Sequence, residues 1–598
     1  MKRLFAGFYH FIRKPQNLIM VLAVCFLVFL VVFPLVSIIG DTLKVHSAER
    51  MRIPGAKVGS LTTYHWRYVL LESSNRNTFF KPLLNSLVTS LGSCFVAIVL
   101  GGVFAWLVSR TNIRWKSLIS SVFMFPYIMP SWTLAVAWLN FFKNEKVGGG
   151  LGIVSSLTGI VFPDWFAYGA FPIIIVQGLH YAPFAYILIG GVLRNMNASL
   201  EEAALILETN KWRMATRITA PMILPSVLSA FILIFSGSIS SFAVPSFLGL
   251  PVRYNVLTTQ LYRCLNGTSP GAGYVIALLM IVISVAILTI NQKIIGSRKS
   301  YTTVTGKSSQ PSLFKLRSRN LVSIIAVFFV LLITVVPLLS FVVQSFIYKP
   351  GVYSFDNFTV RFWVGKADPS DVFALDGIFT NKDFWTSMLN SLKLALCCSL
   401  GAGTIGFLIG YAVVRARGGR LSNIVNALSF LPYLIPSMAF SAIYLSMFAV
   451  PHGPIPALYG TFSLLVILGT VKYLPMASRS GINSMMQISS EIEESAQVIG
   501  IGWFKRMTKV LIPIQKSSIV SGYLLPFISC MRELSLFVLL ITPSNKILTT
   551  LLYQYNEKGW DQYSNAINLV IVVIVLLVNF ITNKLTGASI DKGIGGNN

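Results

Sequence analysis

The 598-residue chain is 54% hydrophobic and only 11% charged, with a mean hydropathy of +0.71. That leaves too little polar surface to cover a soluble globule of this length, so an integral membrane protein is expected. A net charge of +28 raises the question of nucleic acid, but basic loops facing anionic headgroups account for it, and no nucleic-acid partner is predicted.

Apolar runs of about twenty residues recur along the chain, enough at ~1.5 Å per residue to cross a ~30 Å hydrocarbon core. They predict helices near 18–40, 85–109, 118–141, 170–193, 223–248 and 273–292, then near 321–345, 388–412, 421–447, 462–482, 516–541 and 564–583. The fold expected is therefore all-α, with twelve transmembrane helices. The first run follows the basic segment MKRLFAGFYHFIRKPQN but lacks a small-residue cleavage site, and reads as a retained anchor. Proline pairs in FPYIMPS (Phe125–Ser131) and LPYLIPS (Leu431–Ser437) should bend or break the third and ninth spans.

Basic residues set the orientation, because short Lys- and Arg-rich loops stay in the cytoplasm. Lys2, Arg3, Arg13 and Lys14 place the N-terminus inside, and twelve spans bring the C-terminus to the same side. Arg110, Arg114 and Lys116 fall there too, with Arg415, Arg417, Arg420 and the basic linker around 296–320. The six cysteines form no CxxC pair, and five fall inside predicted spans as small apolar residues.

The second half of the sequence restates the first. NSLVTSLGSCFVAIVLGGVFAWLVSRT from Asn85 aligns with NSLKLALCCSLGAGTIGFLIGYAVVRAR from Asn390, putting Arg110 on Arg415. FPYIMPS matches LPYLIPS, and HYAPFA (His180–Ala185) matches KYLPMA (Lys472–Ala477). Each half starts and ends inside, so the halves should be related by an axis along the membrane normal. The division expected is a first half at 1–295, a Ser-, Thr- and Lys-rich cytoplasmic linker at 296–320, and a second half at 321–598.

Each half also carries a polar, helix-forming insert after its fourth span, about 195–225 and 486–515. One begins Glu201, Glu202, Ala203, Ala204 and the other Glu493, Glu494, Ser495, Ala496. Acids at the positive end of a helix dipole favour a short helix. Gly500 and Gly502 then permit a sharp turn before WFKRMTKVL, whereas the first copy has Glu208 where the second has Gly500. By residues alone, an amphipathic connector lying in the headgroups explains such an insert equally well.

E-A-A, three residues, Gly and a basic aromatic stretch ending in L-I-P resembles the EAA loop of permease subunits of binding-protein-dependent ABC importers. Two copies in one chain resemble the fused permeases of the ferric iron and thiamine uptake systems, over nearly the whole sequence. The resemblance implies the MetI-like permease fold in two homologous six-helix halves, in a bacterial inner membrane. It also implies that the loops are coupling helices docking two copies of an ABC ATPase, with Glu201, Glu202, Ala203, Ala204, Glu208, Glu493, Glu494, Ser495, Ala496 and Gly500 in that role. A periplasmic or lipid-anchored substrate-binding protein is the other implied partner, alongside membrane lipid.

The chain has no nucleotide site of its own. TGKSS (Thr305–Ser309) lacks the first glycine of a phosphate-binding loop and the flanking strand and helix. ATP and Mg are therefore expected on the partner ATPase, with no cofactor and no catalytic residue in this chain. Ionisable groups inside spans are functional candidates because they are costly to insert. Arg532 and Glu533 are the clearest pair, splayed by about 100° if helical, and the matching first-half segment offers Ser236 and Ser240. Together they should line a polar pathway or gate, against the alternative of a structural salt bridge. His180 reads as a packing residue and Lys472 as one able to snorkel to the interface. No cluster of carboxylate or tyrosine ligands is visible, so no metal site is predicted.

A major-facilitator-type secondary transporter also has two six-helix halves, and RARGGR (Arg415–Arg420) resembles part of its cytoplasmic loop motif, but the motif's acidic residue is absent and nothing in that reading explains two EAA-like inserts. Ferric iron is the expected substrate, since the single-chain duplication and MREL (Met531–Leu534) look most like iron permeases. Thiamine and 2-aminoethylphosphonate follow.

Overall fold

The computed structural model describes residues 14–196, 210–296, 315–367 and 375–586, apart from positions 51, 54, 74, 149, 452 and 454, together with Phe11. Among these residues the protein is helical, and two isolated bridges are its only β pairing. Eight helices are long and apolar enough to cross a membrane: Pro15–Asp41, Arg76–Arg110, Asp164–Arg194, Thr216–Ile239, Pro270–Ile287, Arg319–Ser345, Lys382–Arg415 and Asp561–Thr582. Three bent pairs are long and apolar enough when taken together: Lys116–Ile128 with Ser131–Phe142, Arg420–Leu434 with Ser437–Phe448, and Trp503–Ile514 with Ser518–Met531. Phe462–Met486, where the tenth span is expected, is made less apolar by Lys472 and Arg479. It packs along Lys382–Arg415 as Ala170–Asn195 packs along Lys81–Arg110.

Proline positions explain most irregularities. The third and ninth spans turn by 94° and 105° where Met129 and Ile435, each preceding a proline, go extended at ψ 153° and 125°. Four π-helical turns, Val28–Val32, Arg76–Phe80, Ala215–Thr219 and Met507–Leu511, each end two residues before a proline. A proline ring crowds the preceding turn and supplies no N–H, so the turn widens rather than stopping the helix.

The fifth and eleventh spans differ from the runs 223–248 and 516–541 expected from hydropathy. Helix ends at Ile239 in one and Met531 in the other, which are matched positions of the repeat. Arg532 and Glu533 therefore project from irregular backbone, not from a helix that splays them. Side chains from elsewhere in each half take up backbone groups beyond the break. The hydroxyls of Thr258 and Thr549 donate to the carbonyls of Ser241 and Glu533 at 2.8 and 3.0 Å. Ser86 and Ser391 accept the backbone N–H of Leu257 and Leu548, both at 2.8 Å. Duplicated Thr residues thus hold the chain just past each break and duplicated Ser residues hold the start of the next helix, and hydropathy registers neither.

Matched glycines let the paired helices touch. A Cβ on Gly101 would lie 2.5 Å from the Ala182 carbonyl, and one on Gly406 would lie 2.6 Å from the Ala477 side chain. The first span of each half, however, crosses to the other half. Pro15–Leu27 lies against Lys382–Arg415 and Phe33–Asp41 against Ser437–Phe448, while Arg319–Ser345 lies against Lys116–Phe123 and Ser131–Phe142. Tyr444 donates to the Leu30 carbonyl at 2.7 Å, an acceptor that Pro34, four residues on, cannot engage. Ser446 donates to Asp41 Oδ2 at 2.6 Å. The halves are interlocked.

Candidate functional site

The second insert folds as its sequence suggests. Ser489 caps the helix Ser490–Val498, accepting from Glu491 N at 3.3 Å, and acids occupy the first turn. Gly500 follows at φ +81°, then Trp503–Arg506 begins the next helix. Its inner side is anchored to the bundle: Met507 and Leu511 join Phe407, Tyr411, Met485 and Ile488 in a small apolar cluster against Ile19 and Trp503.

The two adjacent acids face opposite ways. Glu493 is buried, in an ion pair with Arg415 at 2.7 Å and with Arg506 3.8 Å away, and it accepts from the Tyr411 hydroxyl at 2.7 Å. Ala496 is buried beside it in the helix pattern. Glu494, Ser495 and Gly500 are exposed. Beside them Val498, Ile499 and Phe504 stand 88%, 77% and 72% exposed, an apolar patch that the described residues leave uncovered. Sequence reading passed over these three, although large apolar residues in an otherwise polar insert were the available signal. Glu201, Glu202, Ala203, Ala204 and Glu208, the first copy, lie outside the described residues.

A second site lies between the halves, a cavity of about 310 Å³. Ser236 and Ser240 reach it from the first half, and Arg532, Glu533 and Lys472 from the second. Folding also brings Tyr127, Tyr181, Tyr433 and Tyr473 to its wall. The absence of clustered tyrosines noted in the sequence is thus a matter of sequence distance only.

The nitrogen donors at this cavity serve the broken helices. A proline cannot donate to the carbonyl four residues earlier, which for Pro130 is Pro126 and for Pro436 is Pro432. His180 donates from Nδ1 to the Pro126 carbonyl at 2.7 Å, and its repeat partner Lys472 donates to Pro432 at 3.1 Å and Ile435 at 2.6 Å. Lys472 is thus turned inward and does not snorkel. Arg532 reaches from the second half to the first, donating to the carbonyls of Tyr127 at 2.6 Å and Ile128 at 3.3 Å, with its guanidinium 5.3 Å from the Tyr127 ring centre. Glu533 accepts from Leu536 N at 3.1 Å. Arg532 and Glu533 are not paired with each other in the ion pairs among the described residues. The structural salt bridge considered for them is replaced by two separate backbone attachments.

Known proteins resemble this arrangement of paired domains. The family described as binding-protein-dependent transport system inner membrane component matches residues 97–301 and again 402–590. The ferric transport system permease protein FbpB of Actinobacillus pleuropneumoniae is 25% identical over 508 residues, covering 84% of this chain and 70% of its own. The Fe(3+)-transport system permease protein FbpB 2 of Haemophilus influenzae is 23% identical over 511 residues, covering 83% and 88%. A chain from a bacterial ABC transporter importing the acidic polysaccharide alginate superposes on 50% of this chain with a TM-score of 0.37 and 17% identity, too loose a likeness to build on. Two family domains within one interlocked helical bundle make this chain a member of the binding-protein-dependent transport system inner membrane components, a multi-pass permease carrying its family's domain twice.

Proposed function

We propose that this permease moves ferric iron from an external binding protein to the cytoplasm by ATP-driven alternating access. The observation that carries the substrate is the pair of ferric-named relatives aligned over more than four fifths of the chain. The cavity is chemically compatible. Tyrosine and serine oxygens with one carboxylate are hard donors suited to a hard cation, while Arg532 and Lys472 are occupied by backbone carbonyls. A transit site needs to bind only weakly, with selection left to the soluble partner.

On this reading two ATPase copies, carrying ATP and Mg, dock at the two inserts on the cytoplasmic side, where both termini also lie. Glu494, Ser495 and Gly500 belong to the docking face with Val498, Ile499 and Phe504. Glu493 and Ala496 transmit its movement, because Glu493 ties the insert to Arg415 at the end of a long span. Glu201, Glu202, Ala203, Ala204 and Glu208 take the corresponding part in the first half. ATP biases the protein toward a closed state by binding it more tightly than the open one. Ser236, Ser240, Arg532 and Glu533 form the pathway, the last offering charge to a passing cation.

Uptake of radiolabelled iron and thiamine by vesicles containing the permease, ATPase and binding protein tests this. Iron uptake that requires ATP is expected. Thiamine uptake without iron uptake would overturn the substrate, and gradient-driven transport by the permease alone would overturn the mechanism.

A further inference from the structure

At the end of the bundle away from the insert, the chain leaving the first span gathers a second polar cluster. Ile19, near the start of that span, packs at the insert, so Asp41 at its other end marks the opposite face. There His46, Glu49 and His65 each bring one ligand-type atom within 4.8 Å of the others, and among the described residues this is the one such group. His65 Nε2 lies 3.3 Å from Glu49 Oε2. A tetrahedral zinc with bonds of about 2.0–2.1 Å holds its ligand atoms about 3.4 Å apart.

We infer that His46, Glu49 and His65 form a binding site for a divalent transition-metal ion of the zinc class, which staples the first outer loop to the start of the sixth span.

Burial is the first support. Glu49 and His65 are each only 1% exposed, and a buried carboxylate needs a compensating charge. The nearby cations are engaged elsewhere: Arg52 donates to Thr268 and Ser269 at 2.7 and 2.6 Å, and Lys44 lies 3.7 Å from Asp41.

Pre-organisation is the second. The ring of His46 holds the Asp41 carbonyl through Nε2 at 2.8 Å, the outer hydrogen bond that fixes the tautomer of a ligating imidazole. Glu49 Oε1 accepts Gly271 N at 2.9 Å, and Oε2 accepts the His46 backbone N–H at 3.3 Å while facing His65. The Lys44 carbonyl accepts from His65 Nε2 at 3.0 Å, a bond that a metal ion on this nitrogen would replace. Gly271 cannot be replaced without moving the site, since a Cβ there would lie 2.5 Å from the His65 ring. Two imidazoles and a carboxylate suit zinc and its borderline neighbours better than hard ferric iron, so this site is distinct from the cargo.

The test uses the full chain without a polyhistidine tag, stripped with a chelator, exposed to Zn2+ and desalted. About one zinc per chain is expected by elemental analysis, with a Tm that rises on adding zinc and falls again with chelator, as for an ion that binds only the folded state. His46→Gln, at a half-exposed ligand, should fold and lose both the zinc and the Tm response, and Gly271→Ala should weaken both. Wild-type protein without retained zinc and with a Tm indifferent to zinc and chelator would overturn the site, as would full retention by His46→Gln together with Glu49→Gln.

Discussion

Glu493 and Glu494 are neighbours in sequence with opposite surroundings, and that difference is measurable. Glu493 sits among Arg415, Arg506 and Tyr411, while Glu494 is exposed. Glu493→Gln leaves two guanidinium groups short of their carboxylate in a nearly dry site, and should destabilise the insert on the order of 3 kcal/mol. Glu494→Gln should leave stability unchanged and lower only transport-coupled ATP hydrolysis. Thermal unfolding of the detergent-purified protein beside ATPase assays of the assembled transporter separates the two. Equal unfolding temperatures for both variants would remove the structural role assigned to Glu493.

Among the helices, the broken third and ninth spans depend on donors borrowed from elsewhere. His180 and Lys472 perform one task in the two halves, capping the carbonyl that a proline four residues on leaves free. Lys472→His should therefore be tolerated in expression and unfolding temperature, since the first half already works with histidine. Lys472→Leu leaves the carbonyls of Pro432 and Ile435 without their donor, a loss of about 1–3 kcal/mol per unpaired group. If the leucine and histidine variants unfold together, the carbonyls find water in the cavity and the cap is dispensable.

Across the whole molecule, duplication has kept the bundle symmetric while letting the ends diverge. Ser240 and Ser241 stand where Arg532 and Glu533 stand, and Glu208 where Gly500 stands. Gly500 has φ +81° with open space around the missing Cβ, so a side chain there strains only the backbone, by about 1–2 kcal/mol. Gly500→Val or Glu494→Gln should reduce coupled transport more than substitutions at Glu208 or Glu202. Uptake at matched expression decides it, and equal losses from both inserts would make the difference between the copies functionally silent.

Composition and pattern by themselves determined the class, the duplication, the proline breaks and the helix–turn–helix insert, because each rests on local rules: hydropathy over one span, a repeated string, a missing N–H, a glycine at positive φ. The ends of the fifth and eleventh spans were not legible, since hydropathy continues past Ile239 and Met531 while the backbone just beyond them is held by the hydroxyls of Thr258 and Thr549, far along the chain. Nor did sequence show that each first span lies against the opposite half. Its apolar surface is satisfied by any helix, and only packing, with Tyr444 reaching Leu30 and Ser446 reaching Asp41, selects the partner. The tyrosine-lined cavity, the inward turn of Glu493 and the meeting of His65 with His46 and Glu49 were likewise decided by tertiary structure, because each joins residues whose proximity no sequence period encodes.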